Sequence, residues 1–406
     1  MPKVRLSEKK TKIFLVFLSV WTTSNFVESR LHLGKTHINL VFHSVCTTFA
    51  GDMDIKNYTQ EAVELLEQLI TKPSISRDET AAADVLEQQM CKWGLQPKRI
   101  GNNLVAYGEM EENRPTLLLN AHIDTVKPVS SWTRDPFKPA IEGDRLYGLG
   151  SNDCGGGLVS LLQVFRVLTT QHAPSTPYNI IYVASAEEEV SGANGIAMVL
   201  PQLPPIDVAI VGEPTGMQPA IAEKGLMVID GVAHGKSGHA AREEGINAIY
   251  EALDDLVWLR DYRFRRKSLL LGPTKMTVTV VNSGTQHNVV PDECRFVIDV
   301  RTNEFYQNEY LFRFLQKHMK KCELTARSFR LSSSHIPIGH PLVTRCLELG
   351  MKPFGSPTLS DQALMPFASF KLGPGESARS HSADEFICIS EMEKAIETYL
   401  QLLISN

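Results

Sequence analysis

The chain has 406 residues, more than the roughly 250–300 at which single cores stop growing, so two domains are expected. Apolar residues make up 43% and charged residues 21%, the balance of a soluble globular protein, and the net charge of −5 argues against a nucleic-acid partner, which would favour a basic patch. No run approaches the ~20 apolar residues of a membrane span, and seven scattered cysteines without a CxxC pair fit a reducing cytosol better than a disulfide framework.

At the N-terminus, Lys9-Lys10-Thr11-Lys12 precedes the apolar run Ile13–Leu18, a basic-then-apolar pattern that could pass for an export signal. The stretch from Trp21 to Gly51 has no steady period and no clear small-residue cleavage site. Residues 1–52 therefore read as a non-native or disordered extension, with Met53 as the biological start. From Asn57 to Lys72 apolar residues recur at helical spacing, with Asn57 as the capping signal and Pro73 as the stop. A second helix is expected over Thr80–Trp93, ending at Gly94. Short apolar runs then alternate with helices: Asn103–Tyr107, Thr116–Ala121, a helix after Gly157, Asn179–Ala184 and Asp207–Val211. That alternation predicts an α/β domain with a mostly parallel central sheet. From Met227 the texture changes to alternating, half-buried strands at Met227–Ala233, Lys275–Asn282 and Cys294–Thr302. Between the first two lies a helix near Gly245–Leu259, with Ile246, Ile249, Tyr250, Leu253, Leu256 and Val257 on one face. A second helical run extends to about Lys321. Residues 224–334 thus read as an α+β domain inserted into a larger one made of 53–223 and 335–406, which ends on a helix, Ser390–Leu403.

The chemistry gathers at predicted strand ends, where open α/β sheets hold their ligands. His122-Ile123-Asp124 closes the run Leu117–Ala121, and period two puts both polar side chains on one side. Asp153 comes next, in a turn bounded by Gly150 and Gly155–Gly157. Histidine and aspartate are ordinary ligands of zinc-type metals; a solvated loop with a capping aspartate is the plainer alternative. After the next strand comes Glu187-Glu188-Glu189, three carboxylates that repel one another unless cations compensate. Glu213 lies at the following strand end, and His381 sits in the polar loop Arg379–Glu385. Two histidines with at least three carboxylates suit a pair of zinc-type ions sharing a bridging carboxylate, with one glutamate left as general base.

The order HxD, GxxDxxGG, EEE, GEP and a late His, with SGHAA and NVVP in the inserted domain, resembles the zinc aminoacylase/carboxypeptidase family (peptidase family M20) from about residue 54 to the end. That family includes acetylornithine deacetylase, succinyl-diaminopimelate desuccinylase and glutamate-releasing carboxypeptidases. The resemblance implies a two-zinc catalytic α/β domain with an inserted ferredoxin-like lid domain through which the chain forms a homodimer. It implies that His122, Asp153 and Glu213 hold one metal, and that the bridging Asp153, Glu189 and His381 hold the other, Co2+ being able to replace Zn2+. Asp124 would orient His122, Glu188 would be the base, and His239 would donate to the oxyanion, usually across a dimer. Because three glutamates run together, Glu187 and Glu188 are the alternative register. Asn288 and Arg301 fit the family's anchors for a substrate carboxylate. Within the family, Gly212-Glu213-Pro214-Thr215 and Gly373-Pro374-Gly375 are most similar to acetylornithine deacetylase-like sequences. One departure is Leu359 in Pro357–Asp361, where relatives carry a hydroxyl. The expected activity is cytoplasmic hydrolysis of a small N-acyl amino acid, an N-acylornithine or N-acylcitrulline feeding arginine synthesis. Succinyl-diaminopimelate and dipeptides are the alternatives, a secreted peptidase and an inactive binding protein the rival classes.

Overall fold

The computed structural model describes residues 54–170 and 173–405, together with a two-residue strand pair, His32–Leu33 against Thr36–His37. Contacts divide the chain into 1–53 and 54–406. Apart from that strand pair, the reading of 1–52 as a non-native extension falls outside the described residues. Among these, no helix is long and apolar enough to cross a membrane.

The first helix of the second unit is Ile55–Ile70, starting two residues before the expected cap. Asp54 takes that role instead, its Oδ1 accepting the Asn57 N–H at 3.0 Å. Its inner face (Ala62, Val63, Leu66, Leu69, Ile70) is buried. The helix after the glycine turn, Gly156–Thr169, is buried on almost every side between this helix, the sheet and the C-terminal helix Ile389–Leu403. Such all-round burial explains why its sequence shows so little polar face. A Cβ on Gly157 would lie 1.8 Å from the Gly212 carbonyl oxygen, so only glycine lets this helix start against that strand end.

Four strands at the centre of the large sheet run parallel, in the order Ala368–Lys371, Val208–Val211, Thr116–His122 and Asn179–Ser185. Antiparallel neighbours flank them: Ala220–Glu223 on one side, Asn103–Tyr107 and Lys98–Ile100 on the other. The register sets His122 opposite Ser185, and both Asn120 and Lys371 beside Val211. All four carboxyl ends therefore emerge at one edge, where His122, Ser185 and Lys371 close their strands and the connections that follow add further polar side chains.

Strands Lys275–Ser283, Glu293–Thr302, Gly225–His234 and Cys322–Ala326 form, in that order, a separate antiparallel sheet. With helices Ala248–Asp261 and Asn308–His318 this is a β-α-β-β-α-β, ferredoxin-like unit. Along Gly225–His234 every second residue is buried, as a sheet covered on one face requires. The helix Ala248–Asp261 departs from its sequence pattern. It buries Ala248, Ala252, Asp255 and Leu259, whereas Tyr250, Leu253 and Ile249 are 69%, 50% and 41% exposed. Small Ala248 and Ala252 let the helix lie close on the sheet, and Asp255 Oδ2 accepts the Lys321 and Cys322 amide hydrogens at 3.1 Å each. The larger apolar stripe is thereby turned outward.

Candidate functional site

His122 is buried at the end of its strand. Its Nδ1 lies 2.8 Å from the Asp124 carbonyl oxygen and 3.5 Å from Asp124 Oδ1. A carbonyl can only accept, so Nδ1 carries the hydrogen and the Nε2 lone pair faces the cleft. Around Nε2 stand Asp153 Oδ1 at 3.3 Å, Glu213 Oε1 at 3.6 Å and Glu188 Oε2 at 4.0 Å. Asp153 turns its other oxygen, Oδ2, toward His381 Nε2 at 3.6 Å, and the same nitrogen lies 2.9 and 3.1 Å from the Glu189 carboxylate. One carboxylate thus stands between two imidazoles, each with a second carboxylate beside it.

Asp124 does more than face His122. Its carboxylate accepts the Ser76 hydroxyl at 2.7 Å and the amide hydrogens of Glu188 and Glu189 at 3.0 and 3.1 Å. A single aspartate therefore fixes both the histidine and the loop that presents the two glutamates. Glu187 points elsewhere: at φ 53° it is buried, its carboxylate taking the Asn194 side-chain and backbone N–H groups at 2.8 and 3.2 Å.

Crowded carboxylates make the cluster a sink for positive charge. Burial, then the Asp153 charge, pushes Glu213 up to about 8, and burial with the Glu213 charge pushes Glu188 well above the carboxylate range. His381, hydrogen-bonded to Glu189, is raised to about 9. Glu213 Oε1 is buried without a hydrogen-bond partner among the described residues. An orphaned carboxylate oxygen in a ring of imidazole and carboxylate donors fits a divalent cation, and Asp153, with an oxygen facing each side, fits a pair. Cys154 lies within ligand range of His122 and Glu213, but its Sγ accepts the His122 amide hydrogen at 3.2 Å and burial pushes the thiol up to about 12. It packs as a thiol, not as a thiolate ligand. A cleft of about 250 Å³ opens over the cluster, lined by Asp153, Glu188, Glu189, Glu213, His381, Phe354, Leu359 and Lys371 among others.

Residues 118–405 match the description "Peptidase family M20/M25/M40". The chain belongs to this family. Among known proteins, the acetylornithine deacetylase of Proteus mirabilis is 28% identical over 376 residues, covering 84% of this chain and 95% of that one. The succinyl-diaminopimelate desuccinylase of Cereibacter sphaeroides is 26% identical over 381 residues, 84% of this chain and 98% of the other. Among solved structures, the Bacillus subtilis YXEP protein, a dinuclear metal-binding M20 peptidase, superposes with a TM-score of 0.65 at 17% identity, over 86% of this chain and 98% of that one.

Of the residues expected from the sequence, the M20 fold brings His122, Asp124, Asp153, Glu188, Glu189, Glu213 and His381 together. His239, Asn288 and Arg301 are not among the cleft lining. They belong to the ferredoxin-like unit and its connections: His239 pairs its short strand with Val289–Val290, Asn288 is exposed, and the Arg301 guanidinium bonds Asp299 at 2.9 and 3.1 Å.

Sequence reading missed a buried ion pair under the cleft. Lys371 Nζ lies 3.0 Å from Glu223 Oε2 and donates to Thr358 O and Oγ1 at 3.2 and 3.1 Å, while Glu223 also takes the Ser360 N–H and hydroxyl at 3.1 and 2.6 Å. The two charges anchor the rim Pro357–Ser360. The available signal was a charged residue closing each of two neighbouring apolar strands, Ala368–Lys371 and Ala220–Glu223. Lys371→Met strands a buried carboxylate and is expected to cost about 3–5 kcal/mol in denaturant unfolding. Lys371→Met with Glu223→Met should recover most of it; a double variant no more stable than the single one would contradict the pairing.

Proposed function

We propose that this M20 protein hydrolyses the amide bond of an N-acyl amino acid, with N-acetylornithine or an N-acylcitrulline or N-acylornithine as substrate, in the arginine-forming direction. The observation that carries the reading is Asp153, whose two carboxylate oxygens face His122 and His381 separately, with Glu188 alongside. The names of the relatives support the choice of substrate class, and a cleft of about 250 Å³ suits a small molecule. The domain reading that goes with it assigns 53–223 and 335–406 to catalysis and 224–334 to the inserted lid.

His122, Asp153 and Glu213 would hold one divalent cation, and Asp153, Glu189 and His381 a second, Zn2+ with Co2+ able to substitute. When bound, such ions polarise an acyl carbonyl and lower the pKa of water. Glu188 takes the proton from the attacking water and returns it to the leaving amine nitrogen. Asp124 holds the Glu188 amide so that its carboxylate stays over the cleft. His239 accepts the Ala241 amide hydrogen at Nδ1, 3.1 Å away, which leaves its Nε2–H free to donate to the oxyanion. Asn288 and Arg301 would anchor the substrate carboxylate, Arg301 exchanging Asp299 for it.

Because His239, Asn288 and Arg301 lie outside this chain's own cleft lining, the proposed enzyme is a homodimer. The helix carrying the exposed Ile249, Tyr250, Leu253 and Val257 packs on the edge strand Lys275–Ser283, whose Val280 and Val281 are also exposed, and together they offer apolar surface suited to a second copy. Leu253→Asp is expected to convert a species near twice 45.2 kDa to a monomer in light scattering and to lower turnover with it; a variant still dimeric would count against this face. A cytosolic setting agrees with six described cysteines, all unpaired.

The deciding experiment is a panel of acetylornithine, acetylcitrulline, succinylornithine, succinyl-diaminopimelate and dipeptides offered to zinc- or cobalt-loaded protein. Amine release fastest from an N-acylornithine or N-acylcitrulline supports the reading. Preference for succinyl-diaminopimelate or a dipeptide replaces it.

A further inference from the structure

Two loops distant in sequence meet beside the cleft: 148–155, which carries Asp153, and 373–385, which carries His381. Glu385 is 2% exposed, and it spends its carboxylate on backbone rather than on a cation. Its Oε1 accepts the Asn152 and Asp153 amide hydrogens at 2.8 and 2.9 Å, and its Oε2 that of Gly150 at 3.1 Å. Its carbonyl oxygen takes the Gly148 amide hydrogen at 3.0 Å. Asn152, fully buried, answers from the other loop. Its Nδ2 donates to Glu376 O at 3.1 Å and Ser380 Oγ at 3.3 Å, and its Oδ1 accepts the Glu376 amide hydrogen at 3.0 Å. The fit is close, since a Cβ on Gly375 would lie 2.3 Å from Asn152 Oδ1.

Burying a carboxylate is expensive, and three amide hydrogens with short, charge-assisted bonds are what make it tolerable here. A carboxylate used this way fixes where a backbone runs. The backbone it fixes ends at Asp153, while the one Asn152 fixes ends next to His381, so the pair of contacts sets the Asp153–His381 separation of 3.6 Å. Neither Glu385 nor Asn152 is among the cleft lining.

We propose that Glu385 and Asn152 are positioning residues, a two-way clamp between the Asp153 and His381 loops that sets the spacing needed to hold the second of two cations. This inference rests on the two-cation reading of the cluster, and it needs no particular substrate. Loss of one clamp contact would let Asp153 and His381 drift apart, which strips the second site of a ligand pair while the first keeps His122 and Glu213 in place. Outer partners of metal ligands are typically worth roughly 10–100-fold in affinity.

The test uses the full chain and two near-isosteric variants, Glu385→Gln, which cannot accept all three amide hydrogens, and Asn152→Asp, which cannot donate to Glu376 and Ser380. Stepwise zinc and cobalt binding is measured at buffered free-metal concentrations, with bound metal counted by mass spectrometry and unfolding followed in chelator. The expected result is a second step weakened about 10–100-fold in each variant and a first step weakened distinctly less, so that one cation remains where the parent holds two. Two cations held with parental affinity in both variants would overturn the proposal, whatever their melting temperatures, as would equal weakening of both steps. A parent chain that binds a single cation would instead refute the two-cation reading itself.

Discussion

Glu188→Gln is expected to lower kcat by about 10²–10⁴-fold while the chain still binds its full complement of metal. Glu188 is half-buried at the cluster, with Oε2 4.0 Å from His122 Nε2, so its carboxylate faces the space between the two imidazoles. The glutamine keeps the volume and the backbone contact to Asp124 but can neither take nor return a proton. Glu187→Gln is the matched control. Its carboxylate is engaged with Asn194 on the far side of the turn, so its loss should be felt in unfolding and hardly in kcat. Steady-state rates beside metal counts on both variants separate the two registers. If Glu188→Gln kept near-parental turnover and Glu187→Gln did not, the base would be the wrong glutamate.

The seven residues that meet at the cleft were legible because each announces itself locally. For His122, Asp124, Glu188, Glu189 and Glu213 an imidazole or carboxylate follows an apolar run, and parallel strands deliver such positions to one edge, whereas Asp153 stands in a glycine-bounded turn and His381 in a polar loop. The clamp residues left no such trace. Glu385 comes directly after Asp384 in a polar loop and looks solvated, yet it is buried because residues 148–153 fold over it. Lys371 hid for a related reason: its partner Glu223 is remote in sequence and adjacent only through sheet order. The helix Ala248–Asp261 shows the complementary failure. Its apolar stripe was plain in the sequence, but periodicity says which side is apolar and not what covers it, and here the chain's own sheet takes the alanine side. Asp54 displaced Asn57 as the cap because either residue can serve and the first turn decides between them.

Chelation should make the protein less stable as pH rises from about 5 to about 8, and metal should remove that dependence. Without a cation, Glu213 is raised to about 8 and Glu188 well above the usual carboxylate value, both by burial first. For an acid raised on folding, the stabilising form is the protonated one. Its contribution is complete below the unfolded pKa, near 4–4.5, and is lost as pH climbs through the folded value. His381, raised to about 9 by Glu189, acts in the same direction, since its charged form is the favoured one and disappears at high pH. Every one of these groups therefore destabilises the metal-free fold at pH 8 relative to pH 5. A divalent cation supplies the positive charge that protons supply in acid, so the two compete for the same oxygens. At pH 8 each site should add about 4 kcal/mol at roughly a thousandfold excess of metal over Kd, and near pH 5 the added stability should shrink toward nothing. Melting curves at pH 5, 6, 7 and 8, in chelator and in buffered zinc, read the effect directly. A chelated protein whose melting temperature stays level or rises across that range, with no zinc-dependent gain at pH 8, would mean the crowded carboxylates are not waiting for a cation.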